Sequence, residues 1–156
     1  VRIDSLNFNP DGTIQKVIPT LRGVGLTKAR SRIQIDRYSA LQGKGIGIDY
    51  LDKNNCFAGW KILFSKSNTA LIYNKVDFGN EKVEEIIVRA KSSKGGVLVV
   101  RADGKKGNII AKVKIPKSAA WKNVRAQVLH APQGVHALHV SLQSGADVEV
   151  DWLGFI

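Results

Sequence analysis

The stretch Asn108–Ile115, Asn-Ile-Ile-Ala-Lys-Val-Lys-Ile, decides the fold. Its alternate positions are apolar: Ile109, Ala111, Val113 and Ile115. Lys112 and Lys114 occupy the positions between them. Because successive side chains of a strand point to opposite faces, this segment has one apolar face and one solvated face. Antiparallel sheets commonly leave one face in water, so the stretch predicts a half-buried antiparallel strand.

The same period of two recurs along most of the chain after residue 32. The candidate strands are Ile33–Tyr38, Gly45–Leu51, Phe57–Phe64, Ala70–Phe78, Val83–Lys91, Gly96–Ala102, Asn108–Ile115, Trp121–Leu129, Val135–Leu142 and Val148–Phe155. Turn-forming Gly, Pro, Asn and Asp residues separate them. No segment has a clear helical period. About ten short strands predict an all-β sandwich or barrel.

Residues 1–32 have a different character. They hold a short hairpin around Asn9-Pro-Asp-Gly12, followed by two glycines and a basic stretch that are typical of a linker. We therefore predict a boundary near residue 32, with a tail and linker over 1–32 and a β-sandwich module over 33–156.

Composition supports one globular domain and excludes other classes. The chain has 156 residues, of which 44% are hydrophobic, so a core is available and disorder is excluded. No apolar run reaches the roughly 18–20 residues of a membrane span. Net charge is +11, and residues 101–125 hold eight basic groups against Asp103 alone. This basic stripe predicts either a solvated lysine-rich face or contact with nucleic acid, an acidic glycan or an anionic surface.

Nothing in the sequence predicts catalysis. The single cysteine, Cys56, excludes a disulfide framework and reads as a buried, inert thiol. No pair of acidic residues stands out as the two carboxylates of a glycosidase. His136 and His139 are three apart on a predicted strand, a poor spacing for a shared metal.

Three oxygen-bearing side chains form a candidate cation site. Gln34 and Asp36 lie two residues apart on the first predicted strand, and Asp151 lies on the last. If these strands are neighbours, the three side chains converge, and hard oxygen ligands suit Ca²⁺. The alternative is that all three are exposed edge residues.

The three tryptophans divide into two groups. Trp152 shares the alternation of Val148 and Val150, which predicts a core position. Trp60 and Trp121 stand at loop-to-strand junctions. Rings at such places stack on the apolar face of a sugar or a base, although core packing is the ordinary alternative.

Several motifs, in order, resemble one known family. They are Ile33-Gln-Ile-Asp-Arg-Tyr-Ser39, Leu71-Ile-Tyr-Asn-Lys-Val-Asp-Phe-Gly79, Gly96-Val-Leu-Val-Val-Arg101, Ile115-Pro-Lys-Ser-Ala-Ala-Trp121, Gly134-Val-His-Ala-Leu138 and Val150-Asp-Trp-Leu-Gly-Phe155. Residues 33–156 thereby resemble the family 6 carbohydrate-binding modules. Residues 1–25 resemble the end of a family 43 glycoside hydrolase, a family that includes arabinofuranosidases and xylosidases.

The resemblance implies a β-jelly-roll with a structural calcium ion held by Gln34, Asp36 and Asp151. It also implies a loop cleft in which Trp60 and Trp121 sandwich a sugar. Glu149 stands where the family often has a sugar-binding Asn, so this position departs from the pattern.

The expected function is that of a non-catalytic module that targets a secreted, periplasmic or cell-surface bacterial hydrolase to xylan or arabinoxylan. Two alternatives remain open at this point. The sandwich could stabilise the upstream catalytic domain without binding sugar, or the basic stripe could bind a polyanion such as nucleic acid.

Overall fold

The computed structural model describes residues 3–19, 21 and 23–156, and within them the protein is all-β. The strands are β1 Thr27–Lys28, β2 Ile33–Gln34, β3 Ala40–Gln42, β4 Ile46–Asp52, β5 Asn55–Phe64, β6 Thr69–Asp77, β7 Glu85–Ser92, β8 Gly96–Ala102, β9 Ile109–Ile115, β10 Ser118–Gln127, β11 Val135–Gly145 and β12 Val148–Phe155. The part of the chain that the structure describes holds no helix that could cross a membrane.

Two sheets pack face to face as a β-sandwich. Sheet I has the order β1-β6-β11-β8-β9, with β3 also paired to β6, and sheet II has the order β10-β7-β12-β5-β4, with β2 also paired to β12. The pairings are antiparallel except for β1 beside β6. This confirms the predicted fold class, with twelve strands in place of about ten.

The core lies between the sheets and follows the predicted alternation. In β9, Ala111, Val113 and Ile115 are buried, whereas Lys112 and Lys114 are exposed. The register shifts between Val100 and Arg101 on the neighbouring strand, and there Ile110 is buried while Ile109 is only partly buried. The predicted alternation of buried and exposed side chains therefore holds from Ala111 to Ile115 but fails at Ile109.

Residues 27–32, on the tail side of the predicted boundary, take part in the sandwich. Thr27 and Lys28 pair with β6, and Ala29 is fully buried in the core. The Ala29 amide donates to the Asp77 carbonyl at 2.8 Å, and the Ala29 carbonyl accepts from the Phe155 amide at 3.0 Å. This segment thus bridges one strand of each sheet.

A β-bulge in β12 sets the positions of the functional side chains. Val150 pairs with Ala90 but Trp152 pairs with Arg89, so Asp151 is an extra residue in β12. Val148 and Val150 point into the core before the bulge, and Leu153 after it. Trp152 is only partly buried, with the Arg32 guanidinium 4.9 Å from its ring centroid. The predicted core position of Trp152 is wrong because the bulge reverses the alternation.

The basic stripe of residues 101–125 is divided by the fold. Lys112 and Lys114 lie on β9 in sheet I, whereas Lys122 and Arg125 lie on β10 in sheet II. Arg125 is also paired with Glu85 at 2.9 Å. The stripe is contiguous in sequence but is shared between two sheets.

Candidate functional site

Polar and aromatic side chains cover the outer face of sheet II, where four strands lie side by side. Glu149 on β12 is opposite Lys91 on β7 and Leu63 on β5. Its neighbours Val148 and Val150 are buried in the core, so Glu149 points to the outer face. The cross-strand register places residues 61–63, 89–91 and 149 in one band.

Glu149 is held between two lysines. Its Oε2 lies 2.7 Å from Lys61 Nζ and 3.4 Å from Lys91 Nζ. All three side chains are mostly shielded from water, with the Lys61 side chain 16% and the Lys91 side chain 25% exposed. Glu149 Oε2 is itself buried. The Glu149 side chain is 24% exposed, so the two lysines and the glutamate reach the surface to a similar degree, and the carboxylate there is ion-paired.

Trp121 lies beside this group. The register of β10 against β7 shifts between Ser118 and Lys122, which frees Trp121 from regular pairing. Lys91 Nζ is 5.1 Å and Arg89 Cζ is 5.2 Å from the centroid of its partly buried ring. Both are cation–π distances. Lys91 contacts both Trp121 and Glu149, so the structure brings these two predicted residues together.

Trp60 lies elsewhere on the sheet. Its ring stacks on Tyr50 of β4, with centroids 4.3 Å apart and an interplanar angle of 27°, and it is 38% exposed. β12 and β7 separate its strand from β10. Three strand spacings correspond to about 14 Å of backbone separation. Among the described residues no ring contact joins Trp60 to Trp121.

Phe57 is an aromatic residue that the sequence reasoning did not select. It is 96% exposed, in a part of β5 where residues 56–59 have no regular partner on β4. Cys56 beside it is also exposed, so the predicted buried thiol is wrong. The one sequence signal was an aromatic between the Asn54-Asn55 turn and Gly59. A ring exposed to this degree is accessible to a ligand.

A polar cleft of about 350 Å³ opens next to Arg89 on the same face. Its lining includes Gln34, Ala58, Arg89, Asn123, Asp151 and Trp152. Arg89 forms a close ion pair with Asp151 through Nη1. The cleft is thus continuous, through Arg89, with the band that carries Trp121.

The three predicted calcium ligands meet where β12 changes neighbour from β5 to β2. Trp152 pairs with Gln34, and the Ile35 amide donates to the Asp151 carbonyl at 3.0 Å. The first predicted strand ends at Gln34, so Asp36 lies in the turn that follows. Gln34 is exposed, whereas the carboxyls of Asp36 and Asp151 are 13% and 7% exposed.

Electrostatics at this point favour a cation. Burial raises the pKa of Asp36, the Arg37 charge lowers it, and the nearby Asp151 carboxylate raises it further. Two shielded carboxylates that repel each other are a suitable ligand pair for a hard cation. In the described ranges no three His, Cys, Asp or Glu side chains form a metal-binding group, so a third ligand here has to be an amide or a carbonyl.

A family model and solved structures identify the fold. The model of the family 6 carbohydrate-binding modules matches residues 41–156. A search of curated proteins found no match. A family 6 module from Clostridium stercorarium, solved with cellobiose, superimposes with a TM-score of 0.74 at 21% identity, over 84% of this chain and 96% of that chain.

Two further structures extend the comparison. A family 6 module from Clostridium cellulolyticum, solved with xylose, has a TM-score of 0.73 at 24% identity, over 83% of this chain and 99% of that one. A family 43 arabinoxylan arabinofuranohydrolase from Bacillus subtilis, solved with cellotetraose, has a TM-score of 0.74 at 19% identity, over 97% of this chain and 33% of that one. With the family match spanning most of the sandwich, the chain belongs to family 6 of the carbohydrate-binding modules, which are non-catalytic.

Proposed function

We propose that the module binds a hemicellulose of the xylan or arabinoxylan type through the outer face of sheet II. The observation that carries this proposal is the partly exposed Trp121 ring, which lies in β10 where its pairing with β7 is irregular and is flanked by Arg89 and Lys91. A ring so placed offers its face to a pyranose while nearby polar groups meet the hydroxyls. Solved relatives hold cellobiose and xylose.

The proposal includes an upstream catalytic domain of the family 43 type. The match to the arabinofuranohydrolase spans 97% of this chain, against 84% for the isolated module from Clostridium stercorarium. The longer match takes in residues outside the family 6 segment, in the tail that resembles the end of a family 43 enzyme. A module with this role acts where the polymer is, on a secreted, periplasmic or cell-surface enzyme.

Retention on a xylan affinity gel tests the sugar site. We expect Trp121→Ala to abolish retention, because stacking on one ring contributes about 1–3 kcal/mol, which is a large share of the binding free energy of a weak binder. Phe57→Ala is expected to weaken retention, and Trp60→Ala, which removes the other predicted sugar-binding ring, is expected to weaken it less than Trp121→Ala because Tyr50 covers one face of that ring. Unchanged retention of Trp121→Ala would exclude this face as the sugar site.

Calorimetry separates sugar binding from the alternatives. A purely structural sandwich would give no heat with any xylo- or arabino-oligosaccharide. A polyanion site would lose affinity steeply with added salt, whereas stacking on neutral sugar is nearly indifferent to salt. The division of the basic stripe between the two sheets favours the sugar site over the polyanion site.

We also propose that Gln34, Asp36 and Asp151 hold a structural calcium ion. A bound ion stabilises the folded state by mass action. We expect a chelator to lower the melting temperature of the wild-type module and to leave Asp36→Asn unchanged. Equal melting temperatures of the wild-type module with calcium and with chelator would refute the site.

A further inference from the structure

The band on the outer face of sheet II contains one positive charge in excess. Arg89 and Asp151 balance each other as an ion pair. Lys61 and Lys91 share the single carboxylate of Glu149. Among the described residues of this band, the second ammonium therefore has no countercharge of its own.

The geometry identifies Lys91 as that ammonium. Lys61 Nζ lies 2.7 Å from Glu149 Oε2, whereas Lys91 Nζ lies 3.4 Å away and 5.1 Å from the Trp121 ring centroid. Lys61 is thus the closer partner of the carboxylate. Lys91 stands between the carboxylate and the ring on which a sugar would stack.

A neutral sugar on Trp121 would shield this charge from water without neutralising it. Removing a charge from water is costly when its only countercharge is shared with a second cation. A sugar that carries a carboxylate would supply the missing countercharge at the edge of the stacked ring. An ammonium and a carboxylate make a charge-assisted hydrogen bond stronger than one to a hydroxyl.

We propose that this site selects a hexuronate-bearing glycan, with Trp121 stacking on the acidic sugar and Lys91 Nζ binding its carboxylate. The inference rests on the proposed sugar site and adds the ligand class. Glu149 is the acidic partner of both lysines, and its carboxylate is the negative charge with which an acidic ligand competes for Lys91.

The test compares three ligands of similar length by calorimetry: xylotetraose, xylotriose carrying a glucuronic acid branch, and trigalacturonate. We expect tighter binding of the acidic ligands than of xylotetraose, with an advantage that shrinks as salt is raised. Preference for the branched xylotriose would identify the acid as a xylan branch, and preference for trigalacturonate would identify a galacturonan. Either preference supports the uronate class.

Two variants change the net charge of the site in opposite directions. Lys91→Met keeps the aliphatic stem and should weaken binding of acidic ligands about tenfold, whereas binding of xylotetraose should become tighter because the sugar no longer covers a charge. Glu149→Gln adds one net positive charge and should strengthen binding of acidic ligands. Lys112→Met, on the exposed face of sheet I, removes the same charge elsewhere and is the control. Melting temperatures confirm that each variant is folded.

The possible failures are distinct. Equal affinity for neutral and acidic ligands, or equal losses of both in Lys91→Met, would overturn the uronate proposal and leave the sugar site standing. Binding of no ligand on any arm would overturn the proposed function and the uronate proposal together.

Discussion

Replacing Tyr73 by Phe would test how the segment with Gln34 and Asp36 is held. The Tyr73 ring is fully buried, and its hydroxyl donates to the Ile35 carbonyl at 2.7 Å. This bond joins β6 of sheet I to the turn that follows β2 of sheet II. Tyr73→Phe removes one oxygen atom and leaves a buried carbonyl without this partner.

The expected loss is about 1.5 kcal/mol, within the range for a buried hydrogen bond whose acceptor remains. At about 2–4 °C per kcal/mol for a chain of this size, the melting temperature should fall by about 3–6 °C. Differential scanning calorimetry in the presence of a chelator measures this fall in melting temperature. Because Ile35 lies between two proposed calcium ligands, the gain in melting temperature on adding calcium should also be smaller in the variant.

Tyr38→Phe is the matched control. Tyr38 packs against the same core but is only partly buried. Within the described ranges its hydroxyl makes no side-chain hydrogen bond. We expect a change under about 0.5 kcal/mol. If Tyr73→Phe melts within 1 °C of the wild type, or no lower than Tyr38→Phe, the bond to Ile35 does not hold this segment.

Three further predictions follow from burial and charge. Burial raises the pKa of Asp36, so the stability that this side chain contributes is present at low pH and is lost as pH rises through the folded pKa. In chelator at pH 7, Asp36→Asn should therefore melt at a higher temperature than the wild type. The difference between the two melting temperatures should become smaller towards pH 4. The hydrogen bond to the Asp103 carboxylate should raise the pKa of His136 above about 6.5, and burial should lower the pKa of His139 below that value. NMR titration measures both pKa values, and the reverse order would contradict the structure. Leu153→Ala should cost about 2–5 kcal/mol and Trp152→Ala less, as denaturant unfolding would show, because the bulge points only Leu153 into the core; a larger loss for Trp152→Ala would place the bulge elsewhere.

The sequence predicted the strands because most of them keep a strict period of two and end at turn residues. The prediction that Trp121 binds sugar rests on the loop that precedes it and stays a prediction, and the structure places this ring within β10. The sequence-based prediction failed at Trp152, since a one-residue bulge is set by the registers of neighbouring strands and leaves no local mark. The prediction of a buried Cys56 failed for a similar reason, because its segment has apolar residues but no regular partner on β4.

The lysine–glutamate–lysine group could not be predicted from spacing. Lys61, Lys91 and Glu149 come from three strands far apart in sequence, and only the order β7-β12-β5 brings them together. Glu149 alone looked like a departure from the family's Asn. The structure shows that Glu149 is the acidic partner of two lysines in a group that carries an excess positive charge.

The position of β12 has a consequence for how the protein is made. This strand lies at the centre of sheet II and pairs with β7, β5 and β2. During synthesis β2, β5 and β7 all emerge from the ribosome before β12. Each of them has an unpaired strand edge until residues 148–155 have been made. Such edges invite association with other chains. We therefore expect nascent chains stalled before residue 148 to be prone to aggregation and to depend on chaperones, whereas the eight residues of β12 complete the sheet.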